Sequence, residues 1–247
     1  MPRFTNEYSV DSHHLDSHST HYPAARPLKA GFVSNSEQRR HLGQVQIQNG
    51  LYNQSPRKAR RPTLIPPEIR EAQDSDMAAV HELMRTAFGP GEGRTIAQLI
   101  SELLADPSAA PSLSLVATID NDLVGHILFT HADVKGPDRT VAATILAPLA
   151  VNPAVQSKGI GSQLIKVGLE GLAKRRAELV FVLGHPGYYP RHGFQPAGAL
   201  GYEAPYPIPD EHADAWMVQA LRPGVIGTLS GTVSCAMALR DPQHWQE

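Results

Sequence analysis

The chain has 247 residues, room for one large domain or two small ones at about 100–200 residues each. Its single cysteine, Cys235, excludes an intrachain disulfide, and no run of about 18 apolar residues is present to form a membrane-spanning helix. Charge is unevenly divided: residues 1–62 carry nine Lys/Arg against four Asp/Glu, the remainder thirteen against twenty, and the formal net charge is −2.

Residues 1–62 are rich in Ser, His, Asn, Gln, Pro and Arg. Such a segment buries too little apolar surface to offset its ordering entropy, so a disordered basic tail is expected there. Its last stretch, Pro56-Arg57-Lys58-Ala59-Arg60-Arg61-Pro62, reads as a linker rather than a nucleic-acid patch, and the acidic body argues against a nucleic-acid partner. His13, His14, His18, His21 and His41 lack Cys partners and regular spacing on an ordered frame, so no metal site is expected. The first 30 residues have no apolar core of a secretory signal, and with one cysteine the expectation is a cytoplasmic protein. Oligomeric state is not legible, and a homodimer stays open.

An ordered domain is expected over 63–247. Ile65 to Ala72 reads as a strand that opens on Pro66-Pro67. Asp74 or Ser75 can cap a helix whose Met77, Val80, Leu83, Met84 and Phe88 recur at helical spacing. Gly89-Pro90-Gly91 stops it, and a second helix is expected from about Thr95 to Ala105. Leu113–Ile119 and Leu123–Val134 form a hairpin about the polar turn Asp120-Asn121-Asp122. Ala142–Val151 is a near-continuous apolar run, as a buried central strand should be, and Pro148 within it predicts a bulge or break in pairing. A helix then runs to about Arg176, Leu179–Leu183 is another buried strand, and 186–192 is a short turn or helix. Two more strands are expected near 215–221 and 231–237.

The strongest local signal is Gln156-Ser157-Lys158-Gly159-Ile160-Gly161 between strand and helix. Amides at a helix N-terminus have no intrahelical partners, and glycines let a bulky anion approach them, which makes a pyrophosphate cradle. Lys158 adds a charge at its edge. Gly161 is followed by Ser162-Gln163, so this is not a nucleotide P-loop. Leu164 stands where a dinucleotide fingerprint needs a third glycine. An ordinary glycine-bearing loop is the plain alternative.

Gln-x-x-Gly-x-Gly after an apolar strand resembles the coenzyme A motif of the GNAT superfamily of N-acetyltransferases. The order of elements over roughly residues 65–200 is similar too. The resemblance implies a mixed α/β (α+β) fold with a mostly antiparallel central sheet, a splayed parallel strand pair at Pro148, and flanking helices. It also implies acetyl-CoA as acyl-donor cosubstrate, with no metal. Main-chain groups of Leu149, Ala150 and Val151 would bind pantetheine, and those of Gln156, Ser157, Lys158, Gly159, Ile160 and Gly161 the pyrophosphate. Tyr189, in Tyr188-Tyr189-Pro190-Arg191-His192-Gly193-Phe194, falls on the family's Tyr-x-x-x-Gly-Phe tyrosine.

When an amine attacks a thioester the leaving thiolate must be protonated, and the Tyr189 phenol can do that. The central strand holds no carboxylate to act as base. His185 is the first candidate for that role, since an imidazole titrates near neutral pH. His126, Glu92 and Tyr188 are candidates for the acceptor side, together with Tyr202, Tyr206 and Trp216. Cys235 lies in an apolar strand and reads as core. The expected function is acetyl transfer to a small-molecule or peptide amine. A non-catalytic acyl-CoA-binding module is the alternative.

Overall fold

The computed structural model describes residues 66–136 and 139–245. The expected tail over 1–62 lies outside the described residues.

The first strand, β1, is Glu68–Glu71, shorter than expected because Pro66 and Pro67 have no N–H to donate to a ladder. A single helical turn at Asp74–Asp76 leads into α1, Met77–Phe88. This entry is braced by Asp76. Its carboxylate accepts the Gln73 N–H at 2.8 Å and two Arg70 guanidinium bonds at 2.7 and 2.9 Å. The Arg70 pairing holds the Asp76 carboxyl down at about 2, against an ordinary value of 3.8. Stability from the pair is therefore fully present above 3.8 and lost as pH falls toward about 2. Urea titrations across that window should show the loss in the native protein and a shallower one in Asp76→Asn. Equal slopes would remove the pair from the acid response.

The second helix, α2, is Glu92–Ala105. It starts three residues earlier than expected. Gly89, at φ 83°, turns the chain, and the Gly93 N–H already donates to the Gly89 carbonyl at 2.9 Å. Glu92 is thus the first residue of a helix, where a carboxylate complements the dipole, and not a loop residue.

The hairpin of β2, Leu113–Ile119, and β3, Asp122–Lys135, turns through Asp120 and Asn121 at φ 51° and 68°. Two consecutive left-handed residues match the twist of the flanking strands. Next come β4, Thr140–Val151, then α3, Ile160–Lys174, and β5, Leu179–Leu183. Beyond Phe194 come two short strands, β6 at Gln195–Pro196 and β7 at Tyr202–Glu203. Finally β8 is Trp216–Ala220 and β9 is Gly231–Cys235.

The sheet runs β1-β2-β3-β4-β5-β8-β6, with β9 pairing β3 and β7. Pairing is antiparallel except between β4 and β5 and between the short β7 and β9. Alternation along β3 divides the core into two layers. Leu128, Ala132 and Val134 point toward α1 and α2, whereas Ile127 and Phe129 point toward Leu164 and Ile165 of α3. Each of these fully buried Leu, Ile, Val and Phe side chains contributes about 1.5–3 kcal/mol.

Tyr202 and Trp216, expected on the acceptor side, are buried in this core. Trp216 stacks on Phe181 at 5.1 Å, and Tyr202 meets the same ring edge-on at 5.5 Å. Cys235 is buried, and burial pushes its thiol above the ordinary value. No helix among the described residues is long and apolar enough to cross a membrane.

Candidate active site

The parallel strands β4 and β5 pair only at Ala143–Ile145 against Leu179–Phe181. Beyond that point they part. The register of β4 against β3 shifts between Ile127 and Phe129, so Ala147 and Pro148 face a single residue, Leu128. This bulge bends β4 away, while β5 continues straight along β8 to Leu183. A gap opens between two strands whose facing backbone groups have no ladder partner.

At the far end of the gap β4 runs into the loop before α3. Asn152 caps a short turn through its Oδ1, which accepts the Ala154 N–H at 3.0 Å. The Gln156 side chain donates to the Val151 carbonyl at 3.0 Å and ties the loop back to the strand. Ser157 and Gly159 both adopt positive φ, 60° and 87°. The helix's first bond to this loop is Gln163 N–H to the Gly159 carbonyl at 3.0 Å. The N–H groups of Ile160, Gly161 and Ser162 therefore have no place in the helical ladder. A Cβ on Gly159 would meet nothing within 4 Å, so the backbone there is open to approach. Gly161 is tight instead: a Cβ would lie 2.6 Å from the Tyr188 hydroxyl.

Two chambers flank this gap. The first, of about 240 Å³, is lined by Leu149, Val151, Gln156, Ser157, Gly159, Ile160 and Gly161. His185, Tyr188 and Tyr189 line it from the other side, with Ser162 and Arg191. The second, of about 100 Å³, lies toward α1 and α2. Leu149 and Tyr189 line both, so the Tyr189 ring stands at their junction.

Tyr189 is 4% exposed, and burial, with Tyr188 beside it, raises its phenol well above the ordinary value, so it stays protonated. Tyr188 supports it edge-on at 5.2 Å. Burial raises the Tyr188 phenol as well, against a hydrogen bond with Ser162 and the charge of Arg191, whose guanidinium sits 5.1 Å over its ring. Tyr188 thus links the first turn of α3 to Tyr189. His185 is exposed at the rim of the first chamber, and its Nδ1 accepts the Gly187 N–H at 3.0 Å.

Other candidates line neither chamber. The Ala150 side chain is buried on the α1/α2 face, so only its main chain faces the strand neighbours. Lys158 is exposed and lines neither chamber, and Glu92 lines neither. His126 lies under α1, 0% exposed, with its Nε2 2.9 Å from Ser114 Oγ. Burial, aided by His81, lowers its imidazole to about 4, so it is neutral at physiological pH. No group of three metal-ligating side chains occurs among the described residues. Sequence reasoning missed Ser162 and Arg191. It also missed the C-terminal wall of the second chamber, Leu239, His244 and Trp245, which no periodicity marks.

A bulged, splayed strand pair that ends in open helix-terminal amides, with a buried phenol at the junction of two chambers, defines a group-transfer enzyme of the GNAT architecture. A family model described as Acetyltransferase (GNAT) domain matches residues 68–197, and the chain belongs to that family. It is 48% identical over 163 residues to the uncharacterized N-acetyltransferase YjhQ of Escherichia coli (strain K12), covering 66% of this chain and 88% of that one. It is 30% identical over 166 residues to the uncharacterized N-acetyltransferase YhbS of the same strain, covering 67% and 93%. The crystal structure of Escherichia coli YhbS in complex with CoA superposes with a TM-score of 0.61 at 27% identity, covering 70% of this chain and 92% of that one. A GNAT family acetyltransferase from Brucella melitensis in complex with acetyl-CoA gives a TM-score of 0.54 at 27% identity, covering 70% and 97%.

Proposed function

We propose that this chain transfers an acetyl group from acetyl-CoA to the amine of a small molecule by direct attack, with Tyr189 as general acid. The observation that carries this reading is the gap between β4 and β5, which leads from open helix-terminal amides to a buried phenol. The residues present suit the cosubstrate. The Ile160, Gly161 and Ser162 amides, at the positive end of α3, would hold a diphosphate, and the absence of a Cβ at Gly159 leaves room for it. Backbone groups of Leu149 to Val151 would accompany the pantetheine arm along the bulged strand. Acetyl-CoA supplies the activated acyl carbon as a thioester.

The chain's own residues supply placement and protons. N–H groups freed by the bulge would polarise the thioester oxygen as it gains charge. Tyr189 donates its proton to the departing sulfur. Tyr188 holds that ring in place and so acts as a positioning residue. His185, at the rim with Nδ1 engaged, fits a contact near the diphosphate better than the role of base. A single cysteine, buried in the core, suits work in the reducing cytoplasm.

The test is thiol release from acetyl-CoA across a panel of amines, beside calorimetric titration with acetyl-CoA. Binding together with amine-dependent release is expected. Binding without release from any amine would favour a regulatory acyl-CoA-binding module. Failure to bind acetyl-CoA would remove the proposal altogether.

A further inference from the structure

The second chamber has a chemistry of its own, and what it implies rests on the acyl transfer proposed above. Its volume is about 100 Å³, and among the described residues no Asp, Glu, Lys or Arg lines it. Phe88 at the end of α1 and Ile96 and Leu99 of α2 form one wall, and Leu239 and Trp245 another. A polyamine or an aminosugar would bring further ammonium or hydroxyl groups against these hydrocarbon walls. Burying such groups without partners is strongly unfavourable. An aryl or alkyl body gains from the same walls by leaving water.

One lining group can take up a proton. His244 borders the chamber, and its Nδ1 is buried with no hydrogen-bond partner among the described residues. The turn that carries it is braced. Its N–H donates to the Asp241 carbonyl at 3.0 Å, and the neighbouring Trp245 indole donates to the Leu239 carbonyl at 2.8 Å. The Trp245 ring meets Trp216 edge-on at 5.7 Å. Burial lowers the His244 imidazole, and the charged groups that oppose this are Asp241 on its own turn and Glu102 on α2. The ring is therefore neutral, and able to accept, at physiological pH. Tyr189 stands on the same chamber, on the donor side.

We propose that this chamber is the acceptor site for an amine carried on a small apolar body, aryl or alkyl, and that His244 Nδ1 accepts the proton the amine nitrogen releases. As the nitrogen–carbon bond forms and the carbon–sulfur bond breaks, one proton leaves the amine for His244 and one leaves Tyr189 for the thiolate. Exchange with solvent then restores both side chains, and the products are an amide and a free thiol.

The full chain is assayed with acetyl-CoA against phenethylamine and hexylamine, with spermidine and kanamycin as polycationic comparators. The apolar amines are expected to show a kcat/KM at least about tenfold higher. His244→Gln is expected to lower kcat/KM for phenethylamine about 100-fold. Its acetyl-CoA Kd should stay near the native value, and the acid-side decline of kcat, read at saturating amine so that protonation of the amine itself does not contribute, should disappear. His244→Asn serves as a second variant, and retained acetyl-CoA binding shows that either is folded. The amine panel on the native protein decides the matter even where both variants misfold. Preference for spermidine or kanamycin, no acetylation of either apolar amine, or a folded His244 variant with full rate overturns this proposal. Each of these, with acetyl-CoA still bound, leaves the acyl-CoA reading standing. Loss of acetyl-CoA binding by the native protein overturns both.

Discussion

Tyr189→Phe is expected to lower kcat about 100-fold, the scale of a removed general acid, while the acetyl-CoA Kd stays within about twofold. The substitution deletes one oxygen and keeps the ring. That ring is 4% exposed and packed edge-on against Tyr188 at 5.2 Å and Phe194 at 5.6 Å. A phenylalanine keeps both contacts, so the fold and the donor chamber should survive. What goes, on the proposed role, is the proton for the departing thiolate. Burial raises this phenol above its ordinary value of 10.0, so the native enzyme should show no alkaline decline from Tyr189 below that point. Single-turnover measurements separate the chemical step from product release. An unchanged single-turnover rate would remove Tyr189 from the chemistry and leave it a packing residue.

Gly161→Ala is expected to raise the acetyl-CoA Kd about tenfold, the effect of a methyl forced into a filled space. The new Cβ would lie 2.6 Å from the Tyr188 hydroxyl and 3.6 Å from the Val151 side chain. Either the first turn of α3 moves, and its open amides with it, or the Tyr188 ring is pushed toward Tyr189. The companion variant makes the argument quantitative. With Tyr188→Phe the clashing oxygen is gone, and the next atom of the ring lies 3.8 Å from the added methyl, an ordinary contact. Gly161→Ala in the Tyr188→Phe background should therefore cost little, a coupling of about 1 kcal/mol between neighbouring sites. Strictly additive effects in that cycle would mean that Tyr188 does not hold the helix start.

Much of this architecture was legible in the residues themselves. The Asp120-Asn121 turn between two apolar strands marked a hairpin, because short polar side chains tolerate the left-handed backbone it needs. Pro148 inside an apolar run marked a break, because proline has no N–H to offer, and the register of β4 shifts there. The two glycines at the start of a periodic helix marked the open turn from which α3 begins. Local chemistry of this kind depends on neighbours within a few residues, so the chain states it directly.

The acceptor side followed a different rule. His126 reads like a site residue on an apolar strand, but pleating turns it under α1 beside Ser114 and His81. Tyr202 and Trp216 read like a pocket lining, but they pack on Phe181, Tyr202 edge-on and Trp216 stacked. His244 and Trp245, far along the chain from Tyr189, carried no periodic signal, yet they close the chamber on which Tyr189 stands.

The sequence by itself determined the elements, the hairpin, the strand break and the loop that begins α3, since each follows from backbone freedom and spacing over a few positions. Only the tertiary structure decided how far β4 and β5 travel together, which face each polar side chain takes, and which distant segment walls the second chamber. Those outcomes depend on register and on packing between residues remote in sequence, and neither is written at any single position.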